Sequence, residues 1–299
     1  MKAAPFEYFV ADSIDEVTTG LADFGEEATI IAGGQTLVPL MAMRLARPAL
    51  LIDVNGIGDL QGIDQPGGGG IRIKACTRQS DALKSTIIGE RVPLLAKALP
   101  YVGHAQTRNR GTVGGSIALG DPAAEIPLVA TALDARITLV KLGSTRELPI
   151  HGFYQGPMMT SRGPDECITE ILFPSWQGEG RRGTGFQEVS LRHGDFAIVA
   201  AAAQILVGED GVCRRASVAL GGVSGTPFRV TAAEDALRGT MIDDPALLAA
   251  GAAVDRAVDP QNDLHASAGY RRRVAKVLVE RVIREAAREA TNDAAGDPP

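Results

Sequence analysis

Two glycine-rich stretches carry the residue types in this chain that could do chemistry. The first is "AGGQT", comprising Ala32, Gly33, Gly34, Gln35 and Thr36. The second is "GTVGGS", comprising Gly111, Thr112, Val113, Gly114, Gly115 and Ser116. Glycine has no β-carbon, so a backbone built from it can approach a ligand closely, at an entropic cost that ordinary strands and helices avoid. In the first stretch Gln35 and Thr36 add side-chain donors to backbone N–H groups at the start of a predicted helix, a favourable place for phosphate. A tight strand-to-helix turn with no ligand explains the same residues, and spacing leaves both readings open. The pattern is not GxGxxG, and the acid that would read a ribose in such a site is Asp53, at the end of a second predicted strand. Two separate glycine stretches point to an extended diphosphate gripped from two sides. A close packing corner is the alternative for the second.

Just beyond the second stretch, "GDPAAE" contributes Asp121 and Glu125. A carboxylate is poorly suited to holding phosphate but accepts hydrogen bonds from sugar or ribityl hydroxyls. Asp121, followed by proline, also reads as a helix N-cap. Glu125 has no such structural explanation. His104, His151, His193 and His265 are dispersed, and Cys76, Cys167 and Cys213 lack CxxC spacing. A metal or iron–sulfur site on this chain is therefore not expected. No GxSxG, HExxH or phosphate-loop motif is present.

The elements that must position these residues can be read in order. "SIDEVTTGLADF" opens with a serine cap and Glu16 three residues on, which predicts a helix over 13–24. "ATIIAGG" and "ALLIDVNGI" read as buried strands flanking a helix in "TLVPLMAMRLA", a β-loop-α-β unit whose loop is the first glycine stretch. "LQGIDQPGGGGIRIKACT" predicts a hairpin turning at Gly67 to Gly70. "SDALKSTIIGERVPLLAKALPYV" reads as helix in two pieces split near Pro93. "EIPLVATALDARITLV" reads as a helix running into a strand, and "DECITEILFP" as a strand stopped by Pro174. The polar, glycine-rich run 175–184 marks a domain boundary. Antiparallel strands are expected beyond it, followed by helices at 231–238, about 245–257 and about 268–290. In the last, Ala275, Leu278, Val279, Val282, Ile283 and Ala286 form one apolar stripe, and Glu280 and Arg284 are spaced to pair.

The chain has 299 residues, more than one hydrophobic core usually organises. It is 45% hydrophobic and 22% charged, an ordinary globular composition. A net charge of −6 argues against a nucleic-acid partner, which requires a basic surface. No apolar run approaches the ~20 residues of a membrane span. The N-terminal stretch lacks the apolar core of a secretory signal, so a cytoplasmic location is expected.

Three segments together carry a resemblance: "IAGGQTLVPLMAMRLARPALLIDVNGI", "TRNRGTVGGSIALGDPAAEIPLVATALDA" and "SLRHGDFAIVAAAAQILV". In them the chain resembles the FAD-binding medium subunit of the molybdenum hydroxylases, the group of carbon monoxide, nicotine and xanthine dehydrogenase-type enzymes. The resemblance runs from Pro5 to about Ala287. It implies an α+β fold, with a p-cresol methylhydroxylase-like FAD-binding domain over 1–176, in subdomains of about 1–57 and 58–176. A smaller domain of antiparallel sheet and helices over 185–290 follows, and then a disordered tail at 291–299. It implies noncovalent FAD held by Ala32, Gly33, Gly34, Gln35 and Thr36 on one side and Thr112, Val113, Gly114, Gly115 and Ser116 on the other. Glu125 matches a position that is usually aspartate, one methylene shorter. Ile168 matches an aliphatic residue that touches the isoalloxazine, and Gln187 falls where some relatives place a lysine near the flavin. Tyr101 and Val102 fall near where relatives support the adenine.

The resemblance also implies a role. Electrons start at a molybdopterin centre on a large subunit, pass through [2Fe-2S] clusters on a small one, and reach an external acceptor through the flavin. A dimer of heterotrimers is the implied assembly, and no catalytic acid or base is implied on this chain. A self-contained flavoenzyme of the same superfamily and a flavin-free interaction module are the competing readings.

Overall fold

A computed structural model describes residues 2–176 and 178–292. The first subdomain follows from the predicted β-loop-α-β unit, extended by one strand at its start. It runs β1 (Glu7–Val10), α1 (Ile14–Phe24), β2 (Ala28–Ile31), α2 (Leu37–Ala42) and β3 (Leu50–Asp53). The three strands form a parallel sheet in the order β1-β3-β2. Ser13 caps α1 as expected, its hydroxyl accepting from the Glu16 N–H. The apolar face of α1, Val17 and Leu21, packs with Leu50 and Ile52. A parallel sheet delivers its strands' carboxyl ends to one edge, and this sets Ile31 and Asp53 side by side beneath the first glycine stretch.

The second subdomain is built on an antiparallel five-stranded sheet, ordered β4-β5-β10-β6-β7. Its strands are β4 (Ile63–Asp64), β5 (Ile71–Lys74), β6 (Arg136–Lys141), β7 (Ser144–Pro149) and β10 (Cys167–Phe173). A small hairpin, β8 (Tyr154–Gly156) and β9 (Met159–Thr160), lies between β7 and β10. Six helices connect β5 to β6: α3 (Gln79–Lys84), α4 (Thr86–Arg91), α5 (Pro93–Ala98), α6 (Ala105–Arg110), α7 (Val113–Leu119) and α8 (Glu125–Ala132). The segment read as two helical pieces is three, because Ser85 ends α3 and caps α4 through the Ile88 N–H. Pro93 makes the second break, at the first turn of α5. The second glycine stretch is not a bare loop: it is the hinge and first turn between α6 and α7.

The C-terminal domain has an antiparallel sheet in the order β11-β12-β13-β14, with β11 (Arg181–Val189), β12 (Val199–Val207), β13 (Cys213–Gly221) and β14 (Phe228–Arg229). Three helices follow, α9 (Thr231–Leu237), α10 (Asp244–Ala257) and α11 (Ala268–Asn292). β11 begins inside the run read as a linker. Every residue of β12, "VAAAAQILV", is buried. Strand alternation explains the run of alanines: Ala200 and Ala202 face the core of the FAD-binding domain, while Ala201 and Ala203 face the C-terminal core. The apolar stripe of α11 lies wholly in that second core. On β11 a β-carbon at Gly185 would stand 2.1 Å from the Val282 carbonyl oxygen, so glycine lets α11 lie flat on the strand.

Two further expectations are corrected. Arg284 pairs with Asp244 on α10 at 3.0 Å, and not with Glu280, which turns inward toward Gly251. Of the tail expected to be disordered, Thr291 and Asn292 belong to α11, and 293–299 lie outside the described residues. No described helix is long and apolar enough to cross a membrane.

Candidate functional site

The first glycine stretch turns out of β2 at Ala32. Gly34 has φ +68°, a left-handed conformation that strains any residue with a side chain. Gly33 is constrained differently. A β-carbon there would stand 2.5 Å from the Arg110 carbonyl oxygen and 2.8 Å from the Gly111 Cα. The two glycine stretches are therefore in backbone contact, far apart in sequence and adjacent in space. Gln35 folds back, its Nε2 donating to the Gly33 carbonyl at 3.1 Å. Thr36 stands at the N-cap of α2 without a side-chain cap bond.

A polar brace fixes this stretch from below. Asn55 Nδ2 donates to the Ala32 carbonyl at 2.9 Å and to Asp53 Oδ1 at 2.6 Å. Arg78 Nη2 donates to Asn55 Oδ1 at 2.7 Å, and Arg78 Nη1 donates to the Arg110 carbonyl. The Tyr8 hydroxyl donates to Asp53 Oδ2. Burial pushes the Asp53 carboxyl up, yet the hydrogen bonds from Tyr8 and Asn55 and the charge of Arg78 outweigh it and hold the group below its ordinary value. Both Asp53 oxygens accept hydrogen bonds, so this acid secures the loop from below. Above the brace opens a cavity of about 460 Å³, lined by Tyr8, Gly33, Gly34, Gln35, Asp53 and Arg110 among others.

In the second stretch, Thr112 is the N-cap of α7, its hydroxyl accepting from the Gly115 N–H at 3.0 Å. Val113 is buried and donates its N–H to the Thr77 carbonyl at 3.0 Å. The Gly114 N–H donates to the Ala75 carbonyl at 2.8 Å, and a β-carbon at Gly114 would stand 2.6 Å from the Ala75 Cβ. Gly114 is thus a packing corner, as the alternative reading had it, with its bare face turned to protein. Gly115 is exposed, and a β-carbon there would meet only the Thr112 hydroxyl, at 2.7 Å. Ser116 is half-buried in the first turn of α7.

The carboxylates form a separate cluster. Asp121 is not a helix N-cap; its Oδ1 accepts from the Ala123 N–H at 2.8 Å in a turn, and Ala124 caps α8. Burial raises its carboxyl above the ordinary value. Glu125, the first residue of α8, is 5% exposed. Burial, with Asp121 adding, pushes its carboxyl up to about 7. Sequence reasoning missed Glu188 on β11, which burial and the neighbouring charge of Glu125 push up to about 8. Glu188 Oε2 is enclosed with no hydrogen-bond partner. The signal was available: Glu188 shares strand parity with Phe186, which faces the FAD-binding domain's core. Gln187 takes the other face of β11, its Nε2 donating to Glu285 on α11 at 3.3 Å.

Ile168 is buried in β10, opposite Leu139, where the register to β6 shifts before Glu170. Tyr101 bridges the two domains, its ring 5.2 Å from Phe186 and stacked 6.2 Å from His193. Val102 is buried beside it. The three cysteines are all buried, and burial pushes the Cys76 thiol up to about 11 and that of Cys167 up to about 12.

Comparison with known proteins matches the whole layout. Residues 4–176 match the family described as the FAD binding domain in molybdopterin dehydrogenase. Residues 184–286 match the CO dehydrogenase flavoprotein C-terminal domain. The chain is 39% identical to the 6-hydroxypseudooxynicotine dehydrogenase complex subunit alpha of Paenarthrobacter nicotinovorans, over 97% of each chain. It is 33% identical to the carbon monoxide dehydrogenase medium chain of Hydrogenophaga pseudoflava, over 94% of this chain and 96% of the relative. The solved carbon monoxide dehydrogenase from that organism superposes with a TM-score of 0.93 at 33% identity, covering 97% of this chain and all of the other. Quinoline 2-oxidoreductase from Pseudomonas putida 86 superposes at 0.91 with 33% identity, covering 97% and 99%. A two-subdomain FAD-binding domain of the p-cresol methylhydroxylase-like kind, followed by a smaller α+β domain with an antiparallel sheet, places this chain in the family of FAD-binding medium subunits of the molybdenum hydroxylases.

Proposed function

We propose that this chain carries one noncovalent FAD and relays electrons within a molybdenum hydroxylase complex. The observation that supports this most is coverage: the medium-chain relatives align with this chain over nearly their full length. The electrons would come from the [2Fe-2S] clusters of a small partner subunit, themselves fed by a large molybdopterin subunit. They would leave to an external acceptor. A dimer of heterotrimers in the cytoplasm is the assembly this reading entails. When bound, the flavin supplies the redox chemistry, and the protein supplies binding, orientation and electrostatics.

The residues present fit a flavin dinucleotide. Gly33 and Gly34 line the 460 Å³ cavity, which puts backbone within reach of a ligand there. Gly115 leaves the outer face of the second stretch bare. Glu125 and the unpartnered Glu188 Oε2 offer acceptors that a polyol's hydroxyls would satisfy. In this reading Ala32 to Thr36 and Thr112 to Ser116 enclose the diphosphate, Glu125 accepts from hydroxyls, and Ile168 packs against the ring system. Gln187, tied to Glu285, leaves the flavin without the cation that a lysine would bring. The three cysteines are buried and dispersed, so this chain offers no cluster of its own to feed the flavin.

Reconstitution tests the reading. Acid denaturation of the purified chain is expected to release FAD into solution, with none left on the precipitate. Adding the two partner subunits and their substrate without oxygen is expected to bleach the flavin, whereas substrate alone leaves the isolated chain oxidised. Bleaching of the isolated chain by that substrate contradicts the relay.

A further inference from the structure

Three arginines stand in or beside the glycine stretches, and two of them are spent on the protein. Arg78 holds Asn55 and the Arg110 carbonyl. Arg108 Nη1 donates to the carbonyls of Pro100, Val102 and Gly103 at 3.3, 2.9 and 2.8 Å. The third, Arg110, is exposed on the wall of the 460 Å³ cavity, and its guanidinium makes no ion pair or hydrogen bond with any described residue. The other charged residue lining that cavity, Asp53, has both oxygens occupied by Tyr8 and Asn55. In a chain of net charge −6, one guanidinium with no bonded partner among the described residues thus stands on the cavity wall beside Gly33 and Gly34.

The backbone of Arg110 is also fixed. Its carbonyl is the oxygen against which Gly33 packs, and Arg78 donates to that same oxygen. The Cα of Arg110 is therefore held relative to the first glycine stretch, while its side chain is left to reach a ligand. An arginine so placed suits an anion with several oxygens, because its planar fork can give two parallel hydrogen bonds to phosphate.

We propose that Arg110 supplies the positive charge that holds the diphosphate of FAD, and that it makes this cavity select a flavin dinucleotide over an uncharged flavin. The assignment rests on the reading that FAD lies against these two stretches.

The test uses the full chain, stripped of flavin and titrated with FAD at low and at high salt. Flavin fluorescence quenching reports binding, and far-ultraviolet circular dichroism reports the fold. Loss of a hydrogen-bonded charge is expected to weaken FAD binding about ten- to a hundredfold at low salt in R110Q. The salt dependence of wild-type binding is expected to flatten in R110Q, since the charge that salt screens is gone. R110K keeps the charge but not the fork, and is expected to recover the salt response and part of the affinity. Unchanged affinity and salt response in R110Q overturns the assignment, and so do equal losses in R110Q and R110K. If the stripped wild-type chain takes up no FAD, the flavin reading itself fails; if it does and R110Q matches it, only the role of Arg110 falls.

Discussion

Gly33 and Gly114 each belong to a pair of adjacent glycines in two stretches that touch, yet a β-carbon would meet different obstacles at the two. At Gly33 it would strike the Arg110 carbonyl, which belongs to the other glycine stretch. At Gly114 it would strike Ala75, which belongs to the chain leaving β5. The partners of each pair differ as well: Gly34 needs its left-handed φ, whereas Gly115 begins a helix turn with ordinary backbone and an open face. Similar composition thus serves three ends: joining two loops, seating a helix, and leaving a surface bare. Only the first and third bear on a ligand.

The largest expected effect follows from that division. Gly114→Val is expected to damage the fold before it damages the site, because Ala75 offers backbone as well as side chain and cannot rotate away. Overpacking of this kind costs about 1–3 kcal/mol or more. Denaturant unfolding of the flavin-free chain measures it, and a midpoint equal to wild type would remove the packing-corner reading. Gly33→Ala comes next. Its β-carbon must part the two stretches by displacing a carbonyl, so FAD affinity is expected to fall by at least about tenfold, for a stability loss of about 1 kcal/mol. Titration with FAD alongside unfolding separates the two quantities. If Gly33→Ala retains wild-type affinity, contact between the stretches is not what shapes the site. A smaller change is expected from Thr112→Ala, which removes the cap on the Gly115 N–H and costs about 1 kcal/mol. Thermal unfolding detects it, and Thr112→Ser is expected to restore the loss.

Much of this was legible in the sequence because it depends on local rules. The serine cap of α1, the β-loop-α-β unit and the stripe of α11 each follow from periodicity and capping within one segment. The differences have two sources, a local cap inside a longer apolar pattern and contacts between distant segments. Ser85 splits a helix that apolar spacing alone makes continuous. The second glycine stretch reads as loop from composition, but Thr112 and the seat on Ala75 turn it into a helix start. β1 is exposed along its whole length, so no buried alternation marks it; pairing with β3 makes it a strand. The brace of Asp53, Asn55, Arg78 and Tyr8 joins three segments, and no spacing rule relates Tyr8 and Arg78 to the other two. Glu280 and Arg284 show the converse: correct helical spacing gave no pair, because Asp244 offers Arg284 a partner from α10.

The smallest effect concerns the carboxylate cluster, which stands apart from both glycine stretches. Glu125 and Glu188 approach one another from different domains, and burial raises both above the ordinary carboxylate value of 4.5, to about 7 and about 8. A raised carboxyl binds its proton more tightly in the folded state than in the unfolded one. Across that interval the folded chain holds more protons than the unfolded chain, so their contribution to stability falls as pH rises. It is fully present below about 4.5 and is lost once pH passes about 8. Carboxylates held low, such as Asp53, act in the opposite sense and at lower pH, losing their contribution as the medium acidifies. The interval from about 5 to 8 therefore separates the raised carboxylates from those held low. Glu188→Gln keeps the shape and removes the proton, so the decline in unfolding midpoint over that interval is expected to become shallower. Glu125→Gln is expected to do the same, and the double variant to flatten the decline further, because burial is the larger cause of each shift. Denaturant midpoints of the flavin-free chain at several pH values make the measurement. A Glu188→Gln curve superimposable on wild type would mean that the two carboxyls do not share the enclosed space between the domains.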